Sequence, residues 1–341
     1  MLLPSKNKRP IVLCKLILCL VMIALLTVSL FAGCSQAQPE EMDKLTYRYS
    51  WMFSAGFAPA FLGFDKGFFA DEGIDVILKP GAGIANTQLI GNGVEQFADE
   101  GYQDVIEAVQ AGMPVKAVFA RTQLNPVALI SRADNPIKHP KDLEGKTVAS
   151  GMGAGSLALL PALMKAAGAD IDKVTIRTVD WGAVQEVLML GKVDAVALYF
   201  TNTVPELEAK GVQTHHVKYS DFGVNVIGEG LIVSDELIAE NPDLIRRFVR
   251  ALQKSWQYAA DNPDETVDIF MKHNADWERE PLLKTHQNNV GLFRTANTQG
   301  KPLGWMAKED WELSQDIMIN YLELEQKLPV ESYYTNEFVP Q

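Results

Sequence analysis

The amino-acid sequence predicts an α/β protein made of two lobes, and three observations support this. The chain has 341 residues, a length typical of two domains. Its 47% hydrophobic and 22% charged residues are ordinary for a globular protein. From residue 45 onward, strand-like and helix-like segments alternate, and the alternation starts again near residue 141. Such a βαβα order is typical of a mainly parallel sheet covered by helices.

Residues 1–33 are predicted to be an export signal that lies outside the fold. Four basic residues and no acidic residue precede an apolar run from Leu16 to Phe31, which is the order found in secretory signals. The run is shorter than the roughly 20 apolar residues of a membrane-spanning helix. An uncleaved membrane anchor is the alternative interpretation. Either one places the remaining chain outside the cytoplasm at a membrane surface.

The residues that end this signal, Phe31 to Cys34, resemble the lipobox of bacterial lipoproteins. The resemblance implies cleavage before Cys34 and attachment of lipid to that residue, with residues 34–43 as a polar tether. Cys34 is also the last of the three cysteines in the chain. The part that follows it can therefore form no disulfide and no cysteine-ligated metal site.

The charge of the mature chain argues against nucleic acid as a partner. Removal of the signal deletes four basic and no acidic residues, which leaves 27 basic and 43 acidic residues and a net charge of −16. A surface with this excess of negative charge repels phosphate backbones.

The elements of the first block follow from periodicity and from glycine stops. Residues 74–78 alternate between apolar and polar, as in a half-buried strand, and Gly91 and Gly112 each end a short helical pattern. The predicted strands are 45–50, 74–78, 94–98, 115–120 and 127–131. The predicted helices are 59–66, 87–90 and 104–110.

The second block repeats this pattern, and the remainder of the chain is mostly helical. A glycine-rich loop, residues 151–155, lies between a strand and a helix. Asn241 and Asn262 are each followed by proline, which pairs a helix-capping residue with the residue favoured at the first helical position. The predicted strands are 147–149, 174–179, 193–198 and 227–233. The predicted helices are 156–167, 183–190 and those that begin after Asn241 and Asn262.

The sequence contains little that indicates catalysis. It has no nucleophile elbow, phosphate-binding loop, zinc-protease motif or dinucleotide motif. Its five histidines are scattered, and the adjacent His215 and His216 would point to opposite faces of a strand. We therefore expect neither an enzyme nor a metal or cofactor site.

Four segments, in this order, resemble the solute-binding proteins of ABC importers. They are Asp65–Val76 with its Lys-Gly-Phe-Phe sequence, Leu143–Val148, Gly191–Val196 and Asn241–Leu252. Within that superfamily, residues 221–224 and 334–338 resemble bacterial binders of the thiamine pyrimidine precursor. These binders are grouped with those of sulfonate, taurine and nitrate.

The resemblance implies a two-lobed, type II periplasmic-binding-protein fold. Two crossing strands would form the hinge, and the lobes would close on a ligand in the cleft between them. Lobe one would comprise residues 44–127 and 228–341, and lobe two residues 128–227. The expected partners are a small-molecule ligand, an ABC permease with its ATPase, and the membrane through the lipid anchor. We expect a monomer in the periplasm or on the outer face of the cell membrane.

Candidate ligand-binding residues follow the predicted strands, because such lobes bind ligands at the carboxyl ends of their strands. Aromatic rings suit a flat heterocycle, and carboxylates suit its N–H and amino groups. We expect a pyrimidine precursor of the thiamine type. The candidates are Trp51, Phe57, Glu100, Tyr102, Arg121, Gly153, Gly155, Ser156, Trp181, Tyr199, Asn202 and Glu229.

Other ligands and roles stay open at this point. The glycine-rich loop at a helix start, together with Arg121, could hold an anion such as a sulfonate, taurine or nitrate. A flavin-like heterocycle would suit the same aromatic rings. An enzyme of pyrimidine synthesis and a sensor that docks to a receptor are the two remaining alternatives.

Overall fold

The computed structural model describes residues 42–152 and 154–341, which form one compact unit. The predicted signal, the predicted lipid site at Cys34 and the candidate Gly153 lie outside the described residues. Asp43, which we expect to end the tether, instead begins the first strand, because its N–H donates to the carbonyl of Gly73.

Two five-stranded sheets organise the described chain. The first has the strand order β2-β1-β3-β10-β4 and the second the order β7-β6-β8-β5-β9. The strands of the first sheet are β1 (Asp43–Arg48), β2 (Ile74–Lys79), β3 (Phe97–Gly101), β4 (Val115–Thr122) and β10 (Glu229–Ser234). Those of the second are β5 (Val127–Arg132), β6 (Thr147–Gly151), β7 (Thr175–Val179), β8 (Ala195–Tyr199) and β9 (Thr214–Lys218).

Each sheet contains one strand that runs against its neighbours. In the first sheet β10 is antiparallel to β3 and β4, and in the second β5 is antiparallel to β8 and β9. The other pairings are parallel. Both exceptional strands come directly after the chain has crossed from one sheet to the other. The prediction of an α/β fold with two sheets is confirmed, and each sheet is mixed, with two parallel and two antiparallel pairings.

The α-helices cover both sheets. In chain order they are α1 (Ala58–Asp65), α2 (Asn86–Gly91), α3 (Tyr102–Gln110), α4 (Gly155–Ala158), α5 (Leu160–Ala166), α6 (Val184–Met189), α7 (Phe200–Ala209), α8 (Asp235–Glu240), α9 (Pro242–Asp261), α10 (Pro263–His273), α11 (Arg279–Val290) and α12 (Lys308–Tyr321). We call the first sheet and its helices lobe one, and the second sheet and its helices lobe two.

Helix α9 shows how local sequence signals set an element of lobe one. The Asn241 side chain accepts a hydrogen bond from the N–H of Leu244 at 3.2 Å, and Pro242 occupies the first turn. One face of the helix is buried against the sheet, where Phe248 stacks on Phe97 of β3 with ring centroids 4.1 Å apart. The apolar face therefore fixes α9 onto lobe one.

Two segments, residues 123–126 and 224–228, carry the chain between the lobes. Asn225 ties them together, because its side-chain oxygen accepts from the N–H of Asn125 and its amide donates to the carbonyl of Gln123. Ile227 is anchored as well, since its N–H donates to the hydroxyl of Ser314 in α12. The crossing segments thus form one hydrogen-bonded hinge.

The C-terminal helices do not belong to lobe one alone. Helix α11 packs against α7 of lobe two, and α12 packs against α3 of lobe one and α5 of lobe two. Leu292 lies in a hydrophobic cluster with residues of lobe two. Residues 228–341, which we expect to lie in lobe one, thus contribute β10 to the first sheet and helices that contact both lobes.

Two predicted elements differ from the observed ones for a physical reason. The strand expected at 94–98 runs from Phe97 to Gly101, because Val94 is exposed whereas Phe97 and Ala98 pair with β1. The helix expected at 156–167 is divided at Leu159 into α4 and α5. The first of these shifts moves Asp99 and Glu100 from a loop into the strand.

Candidate functional site

The register of lobe one gathers its charged candidates at one edge of the sheet. In the antiparallel strand β10, Glu229 lies opposite Gly101 of β3 and Thr122 of β4. Glu229 therefore adjoins Glu100 and Arg121, which immediately precede these partners. Three side chains distant in the sequence meet because β10 is inserted between β3 and β4.

Arg121 is the centre of a buried ionic network with Asp99, Glu229 and Ser50, which we call the Arg121 network. Arg121 Nε donates to Asp99 Oδ2 at 2.7 Å, and Arg121 Nη2 lies 2.7 Å from Glu229 Oε1. Ser50 Oγ lies 3.2 Å from Asp99 Oδ1 and 3.3 Å from Glu229 Oε2. The side chain of Arg121 is 4% exposed and that of Glu229 is 22% exposed. Only Glu229 of this ion pair retains substantial access to solvent.

The network keeps Arg121 charged. Burial opposes the charge, but the carboxylates of Asp99 and Glu229 outweigh it and raise the pKa of the guanidinium. Burial also raises the pKa of Glu229, against the pull of Arg121. Two carboxylates thus compensate one guanidinium, so the Arg121 network offers a ligand no unbalanced positive charge.

Phe57 is held beneath this network and is not free to stack on a ligand. The Phe57 ring is buried, stacks on Tyr49 with ring centroids 4.2 Å apart, and has the guanidinium carbon of Arg121 at 4.6 Å from its centroid. The expectation that Phe57 contacts the ligand does not fit this burial. Its contact with Arg121 is a cation–π interaction that supports the network from below.

Glu100 lies beside the network in a different electrostatic state. Burial, followed by the nearby carboxyl of Asp104, raises the pKa of Glu100 to about 9, although the N–H of Gly101 donates to its Oε1 at 3.0 Å. Burial also raises the pKa of Asp104, with the carboxylate of Glu107 as the next cause. At neutral pH Glu100 is therefore a neutral acid that can donate as well as accept, whereas we expected a carboxylate.

Lobe two contributes exposed aromatic rings on a glycine support. Trp181 follows β7, and its indole lies against the backbone of Gly151 at the end of β6. A Cβ atom on Gly151 would lie only 2.2 Å from Trp181 Cδ2, so the contact requires glycine. Trp181 is 53% exposed and Tyr199, at the end of β8, is 49% exposed. These two rings are available to contact a ligand.

Two close approaches and one electrostatic effect indicate that the ends of the two sheets face each other. Asn288 of α11 donates to the carbonyl of Thr201 in lobe two at 3.2 Å. The Gln103 side chain of lobe one lies 3.4 Å from the position that a Cβ of Gly155 would take. Burial of its hydroxyl raises the pKa of Tyr199, and the carboxylate of Glu229 in lobe one raises it further. We call the space between these strand ends the cleft.

The remaining candidates occupy different environments. Trp51 follows β1 and is 57% exposed, so lobe one also presents one ring. Asn202 is partly buried in the first turn of α7. Tyr102 is fully buried, donates to the carbonyl of Phe119 at 2.8 Å and packs on Trp311. The expected stacking of Tyr102 on a ligand is therefore wrong, because its ring is part of the core.

The glycine-rich loop differs from the anion site that its sequence allows. The hydroxyls of Ser150 and Ser156 both donate to the carbonyl of Ala197, at 2.7 and 2.8 Å. The helix that follows, α4, has only four residues, Gly155 to Ala158. Ser156 is buried and its hydroxyl proton is engaged, which does not fit a direct role in binding an anion.

Sequence reasoning missed several polar residues of this region. Ser50, Gln103 and Asp104 lie at the strand ends of lobe one, and Asn289 approaches from α11. Ser50 stands at the end of the predicted strand 45–50, which is a usable signal, whereas Asp104 lies three residues beyond the end of β3. No local feature of the sequence marks Asn289, because only the fold brings α11 to the end of β1.

The described residues contain neither a cluster suited to a metal ion nor a helix suited to crossing a membrane. Between residues 42 and 341, Gly153 aside, no cluster of three or more histidine or acidic side chains is placed to hold a metal ion. Across the same residues, none of the helices combines the length and the apolar character that crossing a membrane requires.

Comparisons with known proteins are consistent with this architecture. Residues 54–266 match the family described as NMT1/THI5 like. The chain is 28% identical to the riboflavin-binding protein RibY of Chloroflexus aurantiacus, over 91% of this chain and 89% of RibY. It is 27% identical to the formylaminopyrimidine-binding protein of Halalkalibacterium halodurans, over 84% of this chain and 89% of that protein. More distant matches include enzymes.

A solved structure shows the same fold. The periplasmic aliphatic sulphonate binding protein SsuA of Escherichia coli superimposes with a TM-score of 0.67 at 14% identity, over 87% of this chain and 92% of SsuA. The architecture of two α/β lobes is therefore that of a periplasmic binding protein.

Proposed function

Since the chain belongs to the NMT1/THI5-like family, we propose that it is an extracytoplasmic solute-binding protein that delivers a small aromatic heterocycle to an ABC importer. The ligand is bound between the lobes and is released unchanged. Its class is an aminopyrimidine related to the thiamine precursor. Export by the N-terminal signal, lipid attachment at Cys34 and action as a monomer belong to the same proposal.

One observation carries the choice of ligand class. Lobe one presents carboxyl groups around an arginine whose charge is already balanced, and lobe two presents Trp181 and Tyr199 with exposed faces. The rings stack on a flat heterocycle from lobe two, and Trp51 covers it from lobe one. Glu229 accepts hydrogen bonds from its N–H or amino groups.

The same observation disfavours a sulfonate or nitrate. An anion placed at the strand ends of lobe one would meet Glu229 and Asp104, while Arg121 is held by Asp99 and Glu229. A sulfonate that leaves water is stabilised by a cation whose charge is not already balanced. Among its described residues, lobe one provides no such cation near Glu229, because Arg121 is paired with both Asp99 and Glu229.

A flavin is the second candidate, and the similarity to RibY favours it. A flavin has the planar ring system that Trp51 and Trp181 would sandwich, and it has both N–H and carbonyl groups on one edge. It is larger than an aminopyrimidine, so the two candidates demand different separations of the lobes.

Isothermal titration of residues 35–341 with formylaminopyrimidine, riboflavin and taurine tests the proposal, after native mass spectrometry has shown whether a ligand co-purifies. We expect heat and a thermal shift with at least one of the heterocycles and none with taurine. Binding of taurine without binding of any heterocycle would refute the proposed ligand class. Recovery of the ligand with unchanged mass after prolonged incubation tests the absence of a reaction.

A further inference from the structure

The space that a Cβ of Gly56 would take is surrounded by three side-chain donors that have no hydrogen-bond partner among the described residues. The Cβ position of Gly56 lies 3.5 Å from Arg121 Nη1, 3.7 Å from Ser54 Oγ and 3.8 Å from Asn289 Nδ2. We call this space the donor site. Its three groups come from β4, from the turn after β1 and from α11, so it exists only in the folded protein.

The Nη1 group of Arg121 faces the donor site and is free to donate a hydrogen bond there. Its Nε is bound to Asp99 and its Nη2 to Glu229, and among the described residues Nη1 has no hydrogen-bond partner. The side chain as a whole is 4% exposed. Ser54, Gly56 and Asn289 are all partly exposed, so the donor site is open to an incoming atom. A buried guanidinium whose Nη1 amino group is unpaired can donate to an acceptor from outside the protein.

We infer that the donor site binds a carbonyl oxygen of the ligand, and that the adjacent Glu229 binds an N–H group of the same amide or lactam. The guanidinium of Arg121 joins the two positions, because Nη2 contacts Glu229 Oε1 while Nη1 faces Gly56. The ligand class is thereby narrowed to heterocycles that carry an amide or lactam. This inference rests on the proposed function.

Charge selects a carbonyl over an anionic oxygen at the donor site. Two carboxylates, those of Asp99 and Glu229, adjoin the single positive charge of Arg121. A neutral oxygen gains the three donors without repulsion from these carboxylates, whereas a sulfonate or carboxylate oxygen would be repelled by Glu229.

Gly56→Ala is the sharpest test, because it fills the donor site without disturbing the fold. The added methyl group would lie at ordinary contact distance, 3.5 Å or more, from all three donors, and Gly56 does not have a positive φ. A ligand oxygen could then no longer enter. Loss of hydrogen bonds to a charged donor predicts a Kd for formylaminopyrimidine or riboflavin that is weaker by about 10- to 100-fold.

Two comparisons make the test specific. Asn289→Ala should weaken the same ligands by about 5- to 10-fold, while Gln287→Ala, an exposed neighbour on α11, should leave them unchanged. The deformylated aminopyrimidine lacks the carbonyl, so its affinity should be the same for wild type and Gly56→Ala.

The outcomes separate the inference from the proposed function. Unchanged affinity of Gly56→Ala for both carbonyl ligands, with a melting temperature equal to that of wild type, would overturn the inference alone. Failure of wild type to bind any heterocycle would overturn the proposed function and the inference with it. A loss that affects the carbonyl ligands and spares the deformylated one supports both.

Discussion

The two lobes share one strand order but contribute different chemistry to the cleft. Lobe one presents charge that is buried, paired and held by a network of Arg121, Asp99, Glu229 and Ser50. Lobe two presents the exposed rings of Trp181 and Tyr199, and its loop hydroxyls are directed to its own backbone. Equal topology therefore does not imply equal chemistry: in the proposed function, lobe one would recognise hydrogen-bonding groups and lobe two would supply the stacking surface.

The strongest test of this contrast removes the charge at the centre of lobe one. Arg121→Met leaves Asp99 and Glu229 buried without a counter-charge, which should lower the free energy of unfolding by about 3–5 kcal/mol. Urea denaturation measures the change. Arg250→Met is the matched control, because Arg250 pairs with Glu72 on the surface, where such pairs contribute only about 0–1 kcal/mol. Equal losses in the two variants would contradict the central role of the network.

The corresponding change in lobe two should affect binding rather than stability. Trp181→Ala removes a half-exposed ring, and stacking of a heterocycle on such a ring contributes about 1–3 kcal/mol, or about 5- to 150-fold in Kd. Calorimetric titration with the bound heterocycle measures this. Phe64→Ala, which removes an exposed ring on α1, should not change the affinity. A Trp181→Ala variant with wild-type affinity would show that lobe two does not stack on the ligand.

Substitution of Gly151, whose backbone lies against the Trp181 indole, should have a smaller effect on ligand affinity. Gly151→Ala would place a Cβ 2.2 Å from the ring, and because Trp181 is half exposed, the ring can move away. We expect little change in the melting temperature and an affinity about 2- to 10-fold weaker, since the ring is displaced rather than lost. Gly182→Ala, whose Cβ would meet no atom within 4 Å, is the control. Unchanged ligand affinity and unchanged tryptophan emission in Gly151→Ala would contradict a role of the Gly151 backbone in positioning the Trp181 ring.

The smallest expected effect concerns Glu100 and depends on pH. Its pKa is about 9 in the folded chain, against an ordinary value of 4.5. Between these two values the folded chain retains a proton that the unfolded chain has lost, so stability falls as the pH rises. Glu100→Gln should therefore raise the melting temperature at pH 8 by about 2 °C and at pH 5 by less. Parallel melting curves for Glu100→Gln and the exposed Glu240→Gln across this range would contradict the assignment.

The sequence allowed correct predictions where the signal is local. The Asn-Pro start of α9 and the βαβ alternation depend on neighbouring residues, so the α/β class and the two sheets could be read directly. Trp181 and Tyr199 follow strands, so their exposure at the strand ends could be expected from the sequence, and their contact with a ligand stays a prediction.

The environment of side chains at those strand ends could not be predicted in the same way. Tyr102 begins α3, which turns its ring towards Trp311, more than half the chain away. The pairing of Arg121 with Glu229 depends on the insertion of β10 between β3 and β4. Both outcomes are set by contacts between distant parts of the chain, which periodicity does not encode.

The position of β10 also affects the order in which the protein can fold. Strands β5 to β9 are consecutive in the chain, so sheet two can form from one continuous segment. Sheet one needs β10 between β3 and β4, and β10 is made only after all of lobe two. Until β10 is synthesised, β3 and β4 therefore each have an edge without its partner strand, and such unpaired edges favour aggregation. Early completion of lobe two brings β10 close to its place and shortens the loop that must close. The lobe with the exposed rings of Trp181 and Tyr199 thereby also assists the folding of lobe one.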